Sequence, residues 1–313
     1  MGWFGKAKKN PGWIAFAFSS DGLCLANVIP AKGKPQVLKC SFHELADSKH
    51  LLEKMGKEFA AKSHSCTSLL SAPQYQLLSV EAPNVPEAEL KTAIRWRLKE
   101  LVDYPVDQAT VDVIDIPMNK EASVKVRNVF AAVARNQHIA QMQNSFAEAD
   151  IPLIAIDLPE MAQRNISALA EPEGRGLAML SFNDEGGLLT ITFAGDLYLT
   201  RRVDVSFAQL NGAPGDLLSA AYDKITLELQ RSLDHIDRQY HYVGLSKLML
   251  APLAEAGPRL HAYLAANLYM PVEMLALDSV LDFSHFPELQ QAQAQQRYFL
   301  ALGAALRAEE VAA

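Results

Sequence analysis

The sequence predicts an α/β fold in which one pattern of strands and helices occurs twice, with a smaller segment inserted after the first copy. Two groups of three short apolar stretches are each followed by a helical stretch and a further strand, and a differently patterned segment separates the groups. The chain has 313 residues, and 50% of them are apolar. It is therefore long enough for two lobes with substantial cores.

The first copy begins with a three-stranded meander. Its strands are predicted where apolar runs are bounded by a Ser-Asp-Gly turn and a loop containing Gly and Pro, at residues 13–18, 23–29 and 36–42. A helical stretch over 43–62 and a strand near 67–71 follow. The first copy is therefore a βββαβ unit.

The second copy repeats this order. Its strands are predicted at 177–182, 188–193 and 197–205, and they are followed by a helix at 216–238, a strand at 245–251, a helix at 253–267 and a strand near Val272. Two facing βββαβα halves are the arrangement of actin, sugar kinases and Hsp70 chaperones. The predicted fold class is therefore α/β and actin-like, with two lobes of the ribonuclease H-like type.

The segment between the copies is predicted to be a small βαββα subdomain. It comprises a strand at 75–81, a helix at 86–103, a hairpin formed by 110–117 and 124–134, and a helix at 136–150. The helix that begins at Asp157-Leu-Pro159 is expected to return the chain to the first lobe. The predicted divisions are 1–73 for the first part of the first lobe, 74–155 for the insert, 156–176 for the return helix and linker, and 177–313 for the second lobe with its C-terminal helix.

The helix at 86–103 has well-marked ends and one unusual residue. Pro86 suits the first helical position, and Pro105 prevents continuation of the helix. A core-facing stripe is predicted at helical spacing, formed by Leu90, Ile94, Leu98 and Leu101. Trp96 points away from that stripe. Either a neighbouring subdomain of the same chain covers it, which is the more common outcome for an aromatic residue, or a partner binds there.

Residues 85–112 resemble the PilM/MshI family of type IV pilus assembly proteins, which carry Val-Pro, an Ala-Ile-x-Trp helix, a Tyr-Pro turn and a Val-Asp strand. Segments 129–135, 227–234 and 298–307 are also similar, and with residues 85–112 they span about two thirds of the chain. The Gln-Arg-Ser-Leu-Asp run at 230–234 and the chain length are more similar to the MshI branch, which serves MSHA-type pili. In this family, as in the division protein FtsA, a small insert replaces a subdomain that actin places elsewhere.

The resemblance implies a non-catalytic cytoplasmic scaffold at the inner face of the inner membrane. It further implies that the N-terminal cytoplasmic tail of a PilN-like inner-membrane pilus protein docks in a groove of the first lobe beside the insert. Membrane association would then be indirect, and self-association stays open. The predicted partner-binding residues are Arg95, Trp96, Lys99, Tyr104 and Pro105, because exposed Trp, Tyr and Arg side chains are enriched at binding hot spots.

Actin-like proteins usually bind ATP between their lobes through glycine-rich hairpins and an acidic residue. Alignment with that pattern places Ala17 at the aspartate, Ser19 at the second glycine and Cys24 at the lysine. The second hairpin has Ser181-Phe-Asn183, and the third has Ala251-Pro252. We therefore expect no catalytic or cofactor-binding residue and no enzyme activity. Two alternatives remain: an actin-like ATP-binding protein or ATPase with a degenerate phosphate site, and a cytoplasmic platform component of type II secretion.

Composition narrows the remaining function classes. A net charge of −7 without a basic stripe argues against nucleic-acid binding. The cysteines are expected to be reduced and buried, and no metal site is predicted from the spacing of His and Cys. The apolar runs fall well short of the roughly 18 residues needed to span a membrane, and residues 1–10 lack the apolar core of a secretory signal. The acidic-glycine turns at 21–22 and 184–187 are expected to be ordinary hairpin connectors.

Overall fold

The computed structural model describes residues 12–44, 48–118 and 127–307. Its strands are β1 (Trp13–Phe18), β2 (Gly22–Ile29), β3 (Gln36–Glu44), β4 (Ser65–Leu69), β5 (Tyr75–Glu81), β6 (Ala109–Asp115), β7 (Asn128–Arg135), β8 (Leu153–Asp157), β9 (Gly176–Asn183), β10 (Gly186–Phe193), β11 (Asp196–Val203), β12 (Leu245–Leu250) and β13 (Val272–Met274). Its α-helices are α1 (Ser48–Glu58), α2 (Glu87–Leu98), α3 (Asn136–Glu148), α4 (Pro159–Ala170), α5 (Phe207–Gly212), α6 (Gly215–Gln239), α7 (Gly257–Asn267) and α8 (Ala292–Ala305).

The two predicted copies form two sheets with the same topology. The first sheet has the order β3-β2-β1-β4-β8, and the second has the order β11-β10-β9-β12-β13. In each sheet the meander is antiparallel, and the two later strands run parallel to the first strand of the meander. Strands at equivalent places in the chain therefore occupy equivalent places in the sheets, as expected for a duplicated unit.

The helices that follow the two sheets are exchanged between the lobes. Helix α4 leaves the first sheet but packs on the second, while α8 packs on β1 and β2 of the first sheet. Gln163 of α4 is fully buried and donates hydrogen bonds to the carbonyl oxygens of Met179, at 2.9 Å, and Leu188, at 3.1 Å. The prediction that the helix in 156–176 returns to the first lobe is therefore wrong, as is the placement of the C-terminal helix with the second lobe.

The exchanged helices contact each other at a glycine. A Cβ atom on Gly303 of α8 would lie 2.2 Å from the carbonyl oxygen of Ala162 of α4. The side-chain nitrogen of Asn165 donates to the carbonyl oxygen of Gly303 at 2.9 Å. This close crossing joins the two lobes through their backbones.

The inserted segment forms a third sheet of order β5-β7-β6, covered on one side by α2. Two details of its predicted boundaries are wrong. Strand β8 pairs in parallel with β4 of the first sheet, so the boundary at 155 falls inside a strand of the first lobe. Phe146 of α3 packs against Phe16 in the core of the first lobe, with ring centroids 5.1 Å apart. Helix α3 is therefore shared between the insert and the first lobe.

The far end of the insert contacts the second lobe. Ile116 and Phe130 belong to the hydrophobic core of the second lobe, and the hydroxyl of Tyr242 donates to the carbonyl oxygen of Pro117 at 2.8 Å. The insert thus touches both lobes.

Several predicted element boundaries also differ from the structure. Helix α2 begins after Pro86, which is its N-cap, and ends at Leu98, so the side chain of Leu101 is 53% exposed. Helix α5 was not predicted, although its Ser206-x-x-Gln209 capping box is a recognisable start signal. The last helix begins six residues before Tyr298, at Ala292. Residues 45–47 of the predicted helix at 43–62 and 124–126 of the predicted strand at 124–134 lie outside the described residues.

Candidate functional site

Two cavities adjoin the α4–α8 pair, and they differ in size and lining. One is a cleft of about 400 Å³ between the lobes, where actin-like ATPases place nucleotide. The other is a groove of about 1130 Å³ between the first lobe and the insert. The carboxyl-terminal end of α8 lines the groove, and its earlier turns line the cleft.

The mouth of the cleft is bridged by the protein's own hydrogen bonds. The Ser20 hydroxyl in the first hairpin donates to the carboxylate of Asp184 in the second hairpin at 2.9 Å. The backbone nitrogen of Ala72 donates to the carboxylate of Glu185 at 3.1 Å. The hairpin tips from opposite lobes are thereby joined to each other.

The predicted departures from the ATP pattern all border this cleft. Ala17, Ser19, Cys24, Asn183 and Pro252 line it. Burial raises the pKa of the Cys24 thiol to about 12, so the thiol is neutral where an ATPase would have a lysine. Its position offers no cation for a phosphate group.

The charged side chains of the cleft are mostly acidic. Four carboxylates line it, those of Asp21, Asp184, Glu185 and Glu255. The guanidinium of Arg297, which also lines it, lies 4.0 Å from the ring centroid of Phe42. A polyphosphate would therefore face more negative than positive charge there.

The acidic-glycine turns are hairpin connectors, as predicted. Gly186 has a φ of 119° and pairs with Asn183 across the β9–β10 turn. At Gly22, a Cβ atom would lie 2.4 Å from the carbonyl oxygen of His43, so the packing of β2 on β3 accounts for this glycine.

The groove is walled by the edges of two sheets and by parts of helices α3, α4 and α8. Six consecutive residues, 153–158, line it along β8, the last strand of the first sheet. Opposite lie β6 residues of the insert sheet, which ends at that strand. One face of α4 completes the wall with residues spaced three and four apart: Met161, Arg164, Asn165, Ala168 and Leu169.

The groove exposes apolar surface and one incompletely bonded cation. Ile154 is 63% exposed, and Leu169 is also exposed. Of the groove carboxylates, Asp157 pairs with Arg307 at 2.9 Å and Asp112 pairs with Lys91 at 2.6 Å. The Nε atom of Arg164 is buried without a hydrogen-bond partner among the described residues.

A buried polar cluster lies at one end of the groove. The hydroxyl of Tyr75, which lines the groove, donates to the carboxylate of Glu160 at 2.5 Å and accepts a hydrogen bond from Arg202. Arg202 also pairs with Glu160 at 2.9 Å. Burial and the neighbouring Glu160 carboxylate raise the pKa of Tyr75 above its ordinary value. The cluster joins the insert, α4 and the second lobe.

The predicted partner-binding residues lie away from this groove, and none of the five lines it. Arg95 donates from Nε to the carbonyl oxygen of Val106 at 3.1 Å and also binds the carbonyl oxygen of Ala109, so it braces the chain after α2. The guanidinium of Arg135 lies 4.0 Å from the ring centroid of Tyr104. Lys99 and Pro105 are exposed.

Trp96 is 71% exposed, so the interpretation that a neighbouring subdomain of the same chain covers it is wrong. Its use by a partner stays a prediction.

The groove residues could not be predicted from the sequence, for a physical reason. The 161–169 spacing could have indicated an amphipathic helix face, but it could not show that the face borders a cavity. The exposure of Ile154 arises because β8 ends a sheet, and that follows from strand order, not from the local sequence.

Two further properties concern the described residues alone. They contain no group of three or more His, Cys, Asp or Glu residues that could hold a metal ion. No helix within ranges 12–44, 48–118 and 127–307 is long and apolar enough to cross a membrane.

Comparison with solved structures supports the fold. A structure described as a PilM-PilN type IV pilus biogenesis complex matches with a TM-score of 0.72 and 19% identity, over 95% of this chain and 98% of that chain. With the duplicated sheet topology described above, this likeness makes the fold actin-like, as predicted. No family model matches the chain, and no curated protein matches it.

Two further structures are more distant. A Bacteroides thetaiotaomicron protein with an actin-like ATPase fold has a TM-score of 0.49 and 10% identity, over 90% of this chain and 97% of that chain. The cytoplasmic domain of EpsL, from the type II secretion system of Vibrio cholerae, has a TM-score of 0.46 and 11% identity, over 82% of this chain and 96% of that chain. Both scores are below 0.5.

Proposed function

We infer that this protein is a non-catalytic actin-like component of a type IV pilus assembly platform, of the MshI type that serves MSHA pili. Its groove binds the cytoplasmic N-terminal tail of a PilN-like inner-membrane protein. The observation that supports this most is the groove itself, which lies beside the insert and presents two strand edges with exposed apolar side chains. The similar solved structure is itself described as a complex of PilM with PilN.

The contents of the interlobe cleft support the non-catalytic part of the proposal. Its hairpins are bonded across the lobes, and its lining has four carboxylates. Phosphoryl transfer depends on accurately placed positive groups around the phosphates. We therefore expect calorimetry with Mg-ATP to show no binding in the micromolar range and no phosphate release. Steady turnover would refute the scaffold proposal and favour the ATPase alternative.

The location follows from the partner. The protein resides in the cytoplasm and reaches the inner face of the inner membrane through the tail that it binds. The face of α2 that carries Trp96 and Lys99 is proposed as a second contact with the same platform, separate from the groove. It is also a candidate for self-association.

Co-expression with a PilN-like membrane protein tests the partner assignment. The chain should sediment with membranes when the partner keeps its cytoplasmic tail, and it should stay in the supernatant when the tail is deleted. Ile154→Arg should also abolish sedimentation, because it places a charge on the apolar wall of the groove. A matched control is Leu217→Arg, since Leu217 is likewise 63% exposed but lies on α6, outside the groove. Equal sedimentation with and without the tail would contradict the proposal.

A further inference from the structure

We propose that the groove binds its peptide as an added β-strand on the free edge of β8, with Arg164 donating a hydrogen bond to a peptide oxygen. This proposal rests on the proposed function and specifies how the groove recognises its partner. It names main-chain pairing, not a set of side-chain pockets, as the principal contact.

The first supporting observation is the position of β8 in its sheet. It pairs with β4 on one side, and among the described residues no strand pairs with its other side. The backbone groups on that side can form hydrogen bonds with an incoming strand. A strand of five residues offers a docking edge of about 17 Å.

The second observation is the run of consecutive groove residues. Successive side chains of a strand point to opposite faces of the sheet. A cavity lying on one face of β8 would therefore contact alternate residues. The groove instead contacts each residue from 153 to 158, so the backbone of β8 borders the cavity as well as its side chains, while the free edge itself follows from the strand order.

The third observation is an apolar side chain at that edge. Ile154, the second of the six consecutive residues that line the groove along β8, has a side chain that is 63% exposed. An apolar, unprotected edge strand favours aggregation unless a partner or another part of the chain covers it. β-strand addition covers such an edge and pairs its backbone at the same time.

The fourth observation concerns charge. Both groove carboxylates are already paired, Asp157 with Arg307 and Asp112 with Lys91. Arg164 is the groove cation whose buried Nε has no hydrogen-bond partner among the described residues, although Asp196 influences it electrostatically. The Nε atom itself is too buried for a ligand to reach, but the Arg164 side chain lines the groove, so its positive charge favours a ligand that brings an oxygen atom to the guanidinium. The occupant is therefore an extended peptide with apolar side chains and a carbonyl or carboxylate oxygen near Arg164.

The test uses a displayed library of random ten-residue peptides, selected against the whole chain. Peptides that bind the groove should lose affinity with Ile154→Arg and keep it with Leu217→Arg. Selected peptides whose binding ignores Ile154→Arg, or a library that yields no binder, would count against the groove as a peptide site and thus against the proposed function as well.

The binding mode is tested with the peptides that pass this selection. N-methylation of single peptide amides should weaken binding about tenfold at alternate positions and little at the positions between them. Residue-resolved hydrogen exchange should show slower exchange at alternate amides of β8. Binding that is insensitive to N-methylation, or protection that appears in β6 instead, would overturn strand addition on β8 and leave the proposed function standing.

Arg164→Met tests the polar contact separately. Affinity should fall about tenfold, since a hydrogen bond from a charged donor is lost. Arg238→Met is the matched control and should leave the affinity unchanged, because Arg238 lies on α6, outside the groove, with its side chain 80% exposed. Unchanged affinity with Arg164→Met would remove Arg164 from the proposal.

Discussion

The interlobe cleft and the groove beside the insert share the α4–α8 helix pair, yet they differ in how their rims are bonded and exposed. At the mouth of the cleft the Ser20 side chain bonds to that of Asp184, and the backbone of Ala72 bonds to the Glu185 carboxylate, so the two lobes are joined there. The groove is almost three times larger, and among the described residues its strand edge is unpaired and some of its apolar side chains are exposed. The mouth of the first cavity is thus bridged within the protein, whereas the second cavity has a strand edge that is open among the described residues.

This difference shows how one fold can change its use without changing its topology. The sheets keep the duplicated order, and the exchanged helices keep the lobes together. Relative to the ATP-binding pattern of actin-like proteins, this chain differs in the identity of a few residues at its hairpin tips. It also has an insert beside one sheet edge. Function in such a fold depends on these local features, since the framework itself is compatible with several activities.

Removal of the insert should have the largest effect on stability. The size of that effect depends on where the chain is cut. Replacing residues 74–155 with a short Gly-Ser linker removes the first three of the five residues of β8 and also removes Phe146 from the core of the first lobe. We expect loss of cooperative unfolding in that variant. Replacing only residues 76–134 retains both, and Tyr75 already lies opposite Ala134 in the sheet, so a short linker can close the gap.

The shorter replacement should therefore melt cooperatively at reduced stability, because the tyrosines that contact the end of the insert become exposed. Thermal unfolding followed by circular dichroism compares the two variants. The variant that lacks only residues 76–134 should keep the cleft and lose the insert wall of the groove. If the 74–155 variant melts as cooperatively as the shorter one, then β8 and α3 are dispensable to the first lobe, and the assignment of a shared α3 is wrong.

Substitution of the glycine at the helix crossing should damage both cavities together. Gly303→Ala places a methyl group 2.2 Å from the backbone oxygen of Ala162, where neither helix can move without shifting its sheet. Overpacking of this kind typically costs 1–3 kcal/mol, and a clash with backbone belongs at the upper end, about 3 kcal/mol. Urea denaturation measures the loss.

The control for this substitution is Gly212→Ala at the end of α5, where nothing lies within 4 Å of the added methyl group. It should change the free energy of unfolding by less than about 0.5 kcal/mol. Equal effects of the two substitutions would mean that α4 and α8 do not cross as closely as described.

The buried cluster that joins the groove to the second lobe should make stability depend on alkaline pH. The pKa of Tyr75 is raised in the folded protein, mainly by burial. Its contribution to stability is complete below the unfolded pKa of about 10 and is lost as pH rises above it, because only the unfolded state then releases the proton. At pH 11 the loss from this one group is about 1.4 kcal/mol.

Comparison of the parent chain with Tyr75→Phe isolates this contribution, since other buried tyrosines and thiols lose stability over the same range in both proteins. The free energy of unfolding should fall less steeply between pH 9 and 11 in the variant. Parallel pH profiles would show that the Tyr75 hydroxyl ionises as readily in the fold as in the unfolded chain.

Much of the framework could be predicted from the sequence, and the errors have common physical causes. Apolar periodicity and turn residues located both meanders, because each strand's pattern is set by its own burial. The destination of α4 could not be predicted in this way, since its apolar face is compatible with either sheet. The same limit applies to the insert boundary: β8 has the composition of a buried strand, but only its pairing with β4 assigns it to the first lobe.

The candidate site was predicted less well than the fold. The departures from the phosphate-binding pattern could be detected from the sequence, by aligning Ala17, Ser19 and Cys24 with that pattern. A partner groove has no comparable local pattern, because it forms where elements from distant parts of the chain meet. The helical face chosen instead was selected for Trp96, which is 71% exposed, and its use by a partner stays a prediction.

Trp96→Ala should have the smallest effect on stability. It decides whether the α2 face binds the partner in addition to the groove. Because Trp96 is 71% exposed, its removal should change the free energy of unfolding by less than about 0.5 kcal/mol. If the α2 face contacts the pilus platform, the same substitution should weaken binding to the PilN-like protein by about 2 kcal/mol, which co-sedimentation over a range of concentrations measures. Arg97→Ala, at an exposed neighbouring position, controls for truncation of a long side chain on α2 that leaves the indole in place. Binding that is unchanged by Trp96→Ala but abolished by Ile154→Arg would confine recognition to the groove, whereas loss of binding with both would mean that the partner spans the insert from its strand edge to its outer helix.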